Sequence, residues 1–546
     1  MDVEELTGAP SRALDELIAR ATAVETADAV PDRDVASRPA TDVHRAAPRW
    51  VKVIDQTRCI GCHACTIACK SENDVPIGVT RTYVKAVDVG TFPTARRAFQ
   101  VTRCNQCSDA PCVAACPTAA MFRRPDGIVD FDKAACIGCK ACIAACPYDA
   151  IFINPEDHSA EKCNFCAHRI DGGLEPACVV VCPTQAILVG DLTDPASAVA
   201  QIATREPVAV RRPEKETRPN LFYKGAHQAT LDPLAARRPA GGTFMWSEQG
   251  SGEQVVNAGH PGAWNSSAAA VLAYDVPHRA PWDWRVSLYT WTKGIAAGAY
   301  IIPLLLVLAG IVSPSSPLWM WVAPVVAGAF LALTGLLLLL DLEHPLRFVY
   351  IFLRPQPRSW LVRGAVFITG FAAILAVHFI ASLAGLVDVT RLLAIAGLPL
   401  AALTAIYTAY LFAQAKARDL WQSPLLPAHL LAQAALAGSA ALLIAAFVLE
   451  PVAVASLGAW LTAAAAAHLL LVVGEITLTH PTAHARLAAH EMFAGRFADF
   501  FWIGFALVAV GLLAPVLGPV AAVAALVGLL AHEHAYVQAG QSVPLA

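Results

Sequence analysis

The sequence predicts a two-part molecule: an α+β domain assembled around groups of cysteines, followed by an all-α polytopic bundle that crosses a membrane about eight times. Three observations carry that prediction. All 16 cysteines of the 546-residue chain fall between Cys59 and Cys182. Beyond Arg285 the sequence turns into long apolar runs, and from Gly364 to Glu475 the charged residues are Asp388, Arg391, Lys416, Arg418, Asp419, Glu450 and Glu475 alone. The averages, 56% hydrophobic and 15% charged with a mean hydropathy of +0.50, therefore combine a polar front half with a very apolar back half. That distribution excludes a disordered chain, a collagen-like fibre and an ordinary soluble globule. A net charge of −3, with no basic stripe interleaved with aromatics, gives no case for nucleic acid.

Residues 1–48 read as a polar tail rich in Ala, Asp, Glu, Arg and Pro, with a short amphipathic segment near Ala13 to Ala23. No apolar run there could form the core of a secretory signal. The cysteine region is accordingly expected in the cytosol, where disulfides are disfavoured and clustered thiols point to metal. Residues 49–230 form the cysteine domain, with short strand-like pieces such as Gly127-Ile-Val-Asp-Phe131 between the groups. Within it, Arg218-Pro-Asn-Leu-Phe-Tyr-Lys224 reads as an ordered tail packed on the domain. Residues 231–284, rich in Pro, Gly and Arg without a long periodic segment, read as a linker, and residues 285–540 as the membrane bundle.

The cysteine region is an internal duplication. The first group, Cys59-Ile-Gly-Cys62-His-Ala-Cys65-Thr-Ile-Ala-Cys69, and the third, Cys136-Ile-Gly-Cys139-Lys-Ala-Cys142-Ile-Ala-Ala-Cys146, agree at 8 of 11 positions. The second, Cys104, Cys107, Cys112 and Cys116 followed by Pro117, is similar to the fourth, Cys163, Cys166, Cys178 and Cys182 followed by Pro183. Two-residue spacers let three thiolates of one loop hold three corners of a cubane while a fourth, often before proline, reaches the neighbouring cluster. Tetrahedral zinc sites instead use pairs of CxxC. Sixteen ligands then imply four 4Fe-4S clusters in a ferredoxin-like domain. The short gap between Cys116 and Cys136 favours exchange between the second and third groups, leaving the first with the fourth. The sets are then Cys59, Cys62, Cys65, Cys182; Cys163, Cys166, Cys178, Cys69; Cys104, Cys107, Cys112, Cys146; and Cys136, Cys139, Cys142, Cys116.

This layout resembles the electron-transfer subunit of the complex iron-sulfur molybdoenzymes, such as those of polysulfide, dimethyl sulfoxide and formate respiration. The resemblance covers about residues 50–230 and implies the same pairing of groups, together with a separate molybdopterin-type catalytic subunit as partner. It departs at Lys70, where the first group lacks the following proline.

Eight apolar runs have the length that a hydrocarbon core of about 30 Å demands: 287–312, 318–340, 362–386, 392–414, 424–448, 452–476, 499–517 and 519–538. Side one, where the first run begins, collects Arg279, Arg285, Lys293, Arg347, Arg354, Arg358, Arg363, Lys416, Arg418, Arg486 and Arg496, against Arg391 alone on the other. The excess of basic residues predicts that side one, with the cysteine domain, faces the cytoplasm of a multi-pass inner-membrane protein.

Clusters carry single electrons and no protons, so a membrane partner for them is expected to be a quinone, menaquinone or ubiquinone, with titratable groups beside it. Lys293, Asp341, Glu343, His344, Arg347, Glu475 and His480 are the candidates, and His532, Glu533 and His534 fall on the same side. Snorkelling is the plain reading of Lys293, and a solvated loop that of Asp341 to Arg347. The segments Thr292-Lys-Gly-Ile-Ala-Ala-Gly-Ala-Tyr300, Asp341-Leu-Glu-His-Pro-Leu-Arg347 and Pro357-Arg-Ser-Trp-Leu-Val-Arg-Gly364 resemble the eight-helix membrane subunit of polysulfide and nitrite reductase systems. That resemblance implies a quinone-reactive anchor without haem, whose usual partners often lie outside the cytoplasmic membrane. Two other readings stand beside it: a cytochrome b-type haem anchor using His378, His429 or His468, and a redox-driven ion pump. The expected function is that of an electron-transfer and membrane-anchor subunit of an oxidoreductase acting on formate or a sulfur compound.

Overall fold

The computed structural model describes residues 47–237 and 269–546. The polar tail lies outside these residues almost entirely, as does the middle of the expected linker. The described chain has a mixed α/β cysteine region followed by a helical part, as the sequence predicts.

Two sheets frame the cysteine region. Strands β1 (Trp50–Asp55), β2 (Thr82–Val89) and β3 (Arg96–Arg103) are followed by the short β4 (Met121–Arg123), β5 (Val129–Phe131), β6 (Ile151–Ile153) and β7 (Ala160–Lys162), then β8 (Ile187–Asp191), β9 (Val208–Ala209), β10 (Leu221–Lys224) and β11 (Val271–Tyr274). One sheet has the order β8-β1-β10-β9, with β1 and β10 parallel and Lys52 opposite Leu221. The segment read as a packed tail, Arg218 to Lys224, thus supplies an interior strand. The second sheet, β11-β2-β3, is built on a long antiparallel pair running from Thr82 opposite Arg103 to Val89 opposite Arg96. Its Val, Tyr, Thr and Phe residues suit a pleated strand, and β2 is buried on both faces. Two short hairpins, β4-β5 and β6-β7, separate the second group from the third and the third from the fourth.

The expected linker 231–284 is corrected at both described ends. Gln228–Leu231 is a helical turn, Arg237 bridges Val271, and β11 adds to the edge of β2. The chain from Val271 onward therefore belongs to the cysteine domain until it enters the membrane part.

Among the described residues, eight helices are long and apolar enough to cross a membrane: α1 (Trp284–Leu308), α2 (Leu318–Leu340), α3 (Trp360–Leu383), α4 (Val387–Gln414), α5 (Leu426–Leu449), α6 (Pro451–Thr477), α7 (Ala498–Leu517) and α8 (Pro519–Gly540). The boundaries follow the apolar runs to within a few residues, because length against the hydrocarbon core is the property being read. Large side chains such as Tyr300, Trp319 and Phe371 fill the centre of the bundle. Helices α1 and α5 meet backbone to backbone at Gly298 and Gly438, where a Cβ on either would strike the other helix, the close approach that small residues allow between helices in lipid.

Candidate functional site: four cysteine sets and a membrane cavity

The cysteine loops owe their shape to backbone angles that few residues adopt. Gly61 and Gly138, each the residue before the second cysteine of its group, have φ near +70°, and His63 and Lys140 sit at φ 60° and 61°. A left-handed residue costs an L side chain roughly 1–2 kcal/mol, which glycine avoids. The helical turns that follow, Ala64–Glu72 and Ala141–Ala145, carry the third cysteine inward.

The fold brings the sixteen thiols into four sets, and no two of them form a disulfide. Cys59, Cys62, Cys65 and Cys182 line one cavity, and Cys116, Cys136, Cys139 and Cys142 another. Cys69 lies within electrostatic reach of Cys163, Cys166 and Cys178, and Cys146 within reach of Cys104, Cys107 and Cys112. Neighbouring sets touch in sequence: Cys65 is near Cys178, Cys163 near Cys104, and Cys112 near Cys142.

Several donors already point at sulfur. Backbone N–H groups of Met121, Gly138, Ala160 and Ala186 donate to the Sγ atoms of Cys116, Cys136, Cys136 and Cys182 at 3.3, 3.4, 3.3 and 3.2 Å. Arg103 Nη1 donates to Cys178 Sγ at 3.0 Å, and Lys52 Nζ lies 3.8 Å from it. Burial pushes the Cys65 thiol up to about 11. Burial acts the same way on Cys178, but Arg103 and Lys52 outweigh it and hold that thiol at about 7. Buried thiols with convergent N–H donors are the environment in which an iron-sulfur cluster sits, with sulfur hydrogen bonds and local charge as its tuning groups. The residues present fit that cofactor.

One set sits on the membrane part. Arg347 Nη1 donates to the carbonyls of Cys136 and Lys133, both at 3.0 Å, and the His344 N–H donates to Ile137 O at 3.2 Å. Lys140 pairs with Glu343 at 3.0 Å and Asp341 at 3.6 Å. Ser359 Oγ donates to Ala115 O at 2.9 Å, and Trp282 Nε1 to Cys139 O at 3.3 Å. Burial raises the Asp341 carboxyl to about 6, an effect that Lys140 partly offsets. Four of the expected quinone-site residues, Asp341, Glu343, His344 and Arg347, thus form the joint with the cysteine domain. They are neither a free loop nor the lining of the membrane cavity.

That cavity, about 280 Å³, lies between the start of α5 and the end of α6. Glu475, His480, His429, Tyr536 and the apolar Leu426, Leu471 and Leu478 line it. It therefore unites Glu475 and His480 of the sequence-derived candidates. Trp282 stacks on Trp421 and Phe412, with centroids 5.6 and 5.9 Å away, so an aromatic stack runs from the Cys139 carbonyl toward Leu420 on the cavity wall. Lys293 lies elsewhere. It is 1% exposed and donates to Ala405 O at 2.9 Å and Thr408 Oγ1 at 2.6 Å. The snorkelling reading is thereby corrected, because the helix begins at Trp284 and places Lys293 more than two turns deep.

The histidines of the haem reading separate. His378 contacts the Trp319 carbonyl at 3.1 Å. His429 Nε2 and His468 Nδ1 are 2.9 Å apart, too close for a porphyrin between them. The sequence reading grouped His532 with the end of α8, whereas it joins this pair.

Comparison with known proteins matches the two parts separately. The 4Fe-4S dicluster domain family matches residues 95–192, and the polysulphide reductase NrfD family matches residues 275–544. A tetrathionate reductase subunit from Salmonella typhimurium is 40% identical over 216 residues, covering 38% of this chain and 83% of that protein. A polysulfide reductase subunit from Wolinella succinogenes is 41% identical over 179 residues, 32% of this chain and 94% of its own. NrfC of Escherichia coli is 42% identical over 177 residues, 32% and 79% respectively. The chain therefore belongs to the family of iron-sulfur electron-transfer subunits of reductases, here continuous with an NrfD-type membrane anchor.

Proposed function

We propose that the chain relays electrons between a separate molybdopterin-type catalytic subunit, acting on formate or a sulfur compound, and a quinone held in the 280 Å³ cavity. Each of the four cysteine sets holds one 4Fe-4S cluster, and each bound cluster supplies one-electron transfer. The observation that carries the reading is the succession of sets: the first reaches the surface at the exposed Cys62, and the last is fastened to the membrane part by Arg347, Ser359 and Trp282.

The chain's residues have distinct tasks. Ile60 and Ile67, 58% and 65% exposed on the first cysteine loop, offer the catalytic subunit an apolar footing. Arg347 and Lys140 hold the last loop against α2. Glu475 and His480 face the cavity, where a quinone gaining or losing electrons must also gain or lose protons, and they are the groups that accept or supply them. Leu426, Leu471 and Leu478 hold the apolar part of the ring. The chain sits in the inner membrane with the cysteine domain on the cytoplasmic side.

The test uses the full complex with its co-purifying subunit. Menaquinol or ubiquinol analogues should reduce the clusters, read as loss of their visible absorbance. Glu475→Gln and His480→Gln should each slow that reduction by about tenfold or more, with iron content and dithionite reduction unchanged. Clusters that exchange electrons with no quinol would sink the proposal.

A further inference from the structure

Helices α5, α6 and α8 each turn one histidine into the same buried point. His429, His468 and His532 are 4%, 1% and 2% exposed, and one ring nitrogen of each lies within 4.8 Å of those of the other two. The His429 and His468 nitrogens are 2.9 Å apart, and the His532 ring stands edge-on to His468 with centroids 4.8 Å apart. His532 Nε2 is buried without a hydrogen-bond partner. Glu533, next in sequence, is turned to Thr290 Oγ1 at 3.0 Å, so it does not answer this nitrogen.

Imidazoles alone satisfy one another poorly. A buried nitrogen without a partner costs about 1–3 kcal/mol, and three helices converge here to bury one. A metal ion would use one nitrogen from each ring. Tetrahedral coordination at about 2.0 Å per bond needs the nitrogens about 3.3 Å apart, within a few tenths of an ångström of the 2.9 Å pair. The donor set chooses among ions. Calcium and magnesium require oxygen ligands, whereas imidazole suits zinc and copper. The three rings are buried, so the site suits a singly charged ion with three ligands, or a doubly charged one that takes a fourth from outside. His429 borders the 280 Å³ cavity, which gives that fourth position an approach.

We propose that His429, His468 and His532 form a metal site for a d¹⁰ ion, zinc(II) or copper(I), with its open coordination position toward the membrane cavity. The site does not depend on what else the cavity binds.

The test is elemental analysis of the detergent-extracted full complex, with X-ray absorption at the zinc and copper edges to separate the two ions. The expected result is about one zinc or copper per chain with a nitrogen shell near 2.0 Å, whereas an ion strayed into a cysteine set would show sulfur near 2.3 Å. His468→Gln and His532→Gln should each lower that metal about fivefold or more while iron per chain is unchanged. Should both variants lose iron as well, the wild-type spectrum alone decides: a nitrogen-only shell upholds the site and a sulfur shell overturns it. A wild-type complex that holds neither metal after incubation with one equivalent of zinc sulfate or anaerobic copper(I), or variants that keep the metal in full, also overturns it.

Discussion

At the residue scale, the cysteine loops depend on positions that a single methyl group disturbs. Gly138 has φ +70°, and a Cβ there would be driven into Glu343, whereas Gly328 in α2 has nothing within 4 Å. Gly138→Ala should therefore cost about 2 kcal/mol or more through the left-handed backbone and the clash, lowering iron per chain and melting temperature. Gly328→Ala should leave both unchanged. The two-residue spacer between Cys136 and Cys139 was legible in the sequence, but the neighbour of Gly138 was not, because Glu343 arrives from another domain. Charge beside sulfur gives a second prediction. Lys52 Nζ is 3.8 Å from Cys178 Sγ and 4.0 Å from the Phe165 ring centroid, and a buried cation favours the more negative, reduced form of a nearby cluster. Lys52→Met should shift that cluster's midpoint negative, by about 60 mV for each 1.4 kcal/mol of lost interaction. An electron paramagnetic resonance titration showing no shift would remove Lys52 from the tuning groups.

At the element scale, apolar length made the membrane helices readable, while the segment before α1 was misread. Val271-Leu-Ala-Tyr274 is too short for periodicity to register, and its strand character comes from pairing with β2, which no local pattern reveals. The same holds for Lys293 and the histidine trio, whose partners lie on other helices. What fixes this segment is a clamp: His278 Nδ1 meets Asp149 at 2.5 Å and Nε2 meets Asp275 at 3.0 Å. Burial alone would depress the His278 pKa, but the carboxylates of Asp275 and Asp149 raise it to about 9. A folded-state pKa above the unfolded value of about 6.5 gives stability that is complete below that pH and lost as pH rises through about 9. Melting temperature should fall between pH 6.5 and pH 9, by an amount worth at most about 3 kcal/mol. His278→Gln should be less stable at pH 6 and flatten that slope; an unaltered slope would assign it to other groups.

At the scale of the whole molecule, charge placement and domain attachment coincide. Arg347 is fastened to the last cysteine loop, and the buried Arg418, beyond α4, donates to the carbonyls of Gln541 and Val543 at 3.0 and 3.3 Å. Some of the basic residues that the sequence assigns to one side of the bilayer thus have fixed structural partners, Arg347 in the cysteine domain and Arg418 in the C-terminal segment. Arg279, Arg285, Arg354, Arg358, Arg363, Lys416, Arg486 and Arg496 remain on that face. Opposite them, at the start of α4, stands Arg391, 4.0 Å from Asp388 and largely exposed. Basic residues near span ends set orientation by resisting translocation whatever their later partners, and the remaining eight still exceed the one. The cysteine domain should therefore be cleaved by added protease in inverted membrane vesicles and protected in intact spheroplasts. Cleavage in spheroplasts would reverse the orientation and put the catalytic subunit that we propose docks near Cys62 outside the membrane.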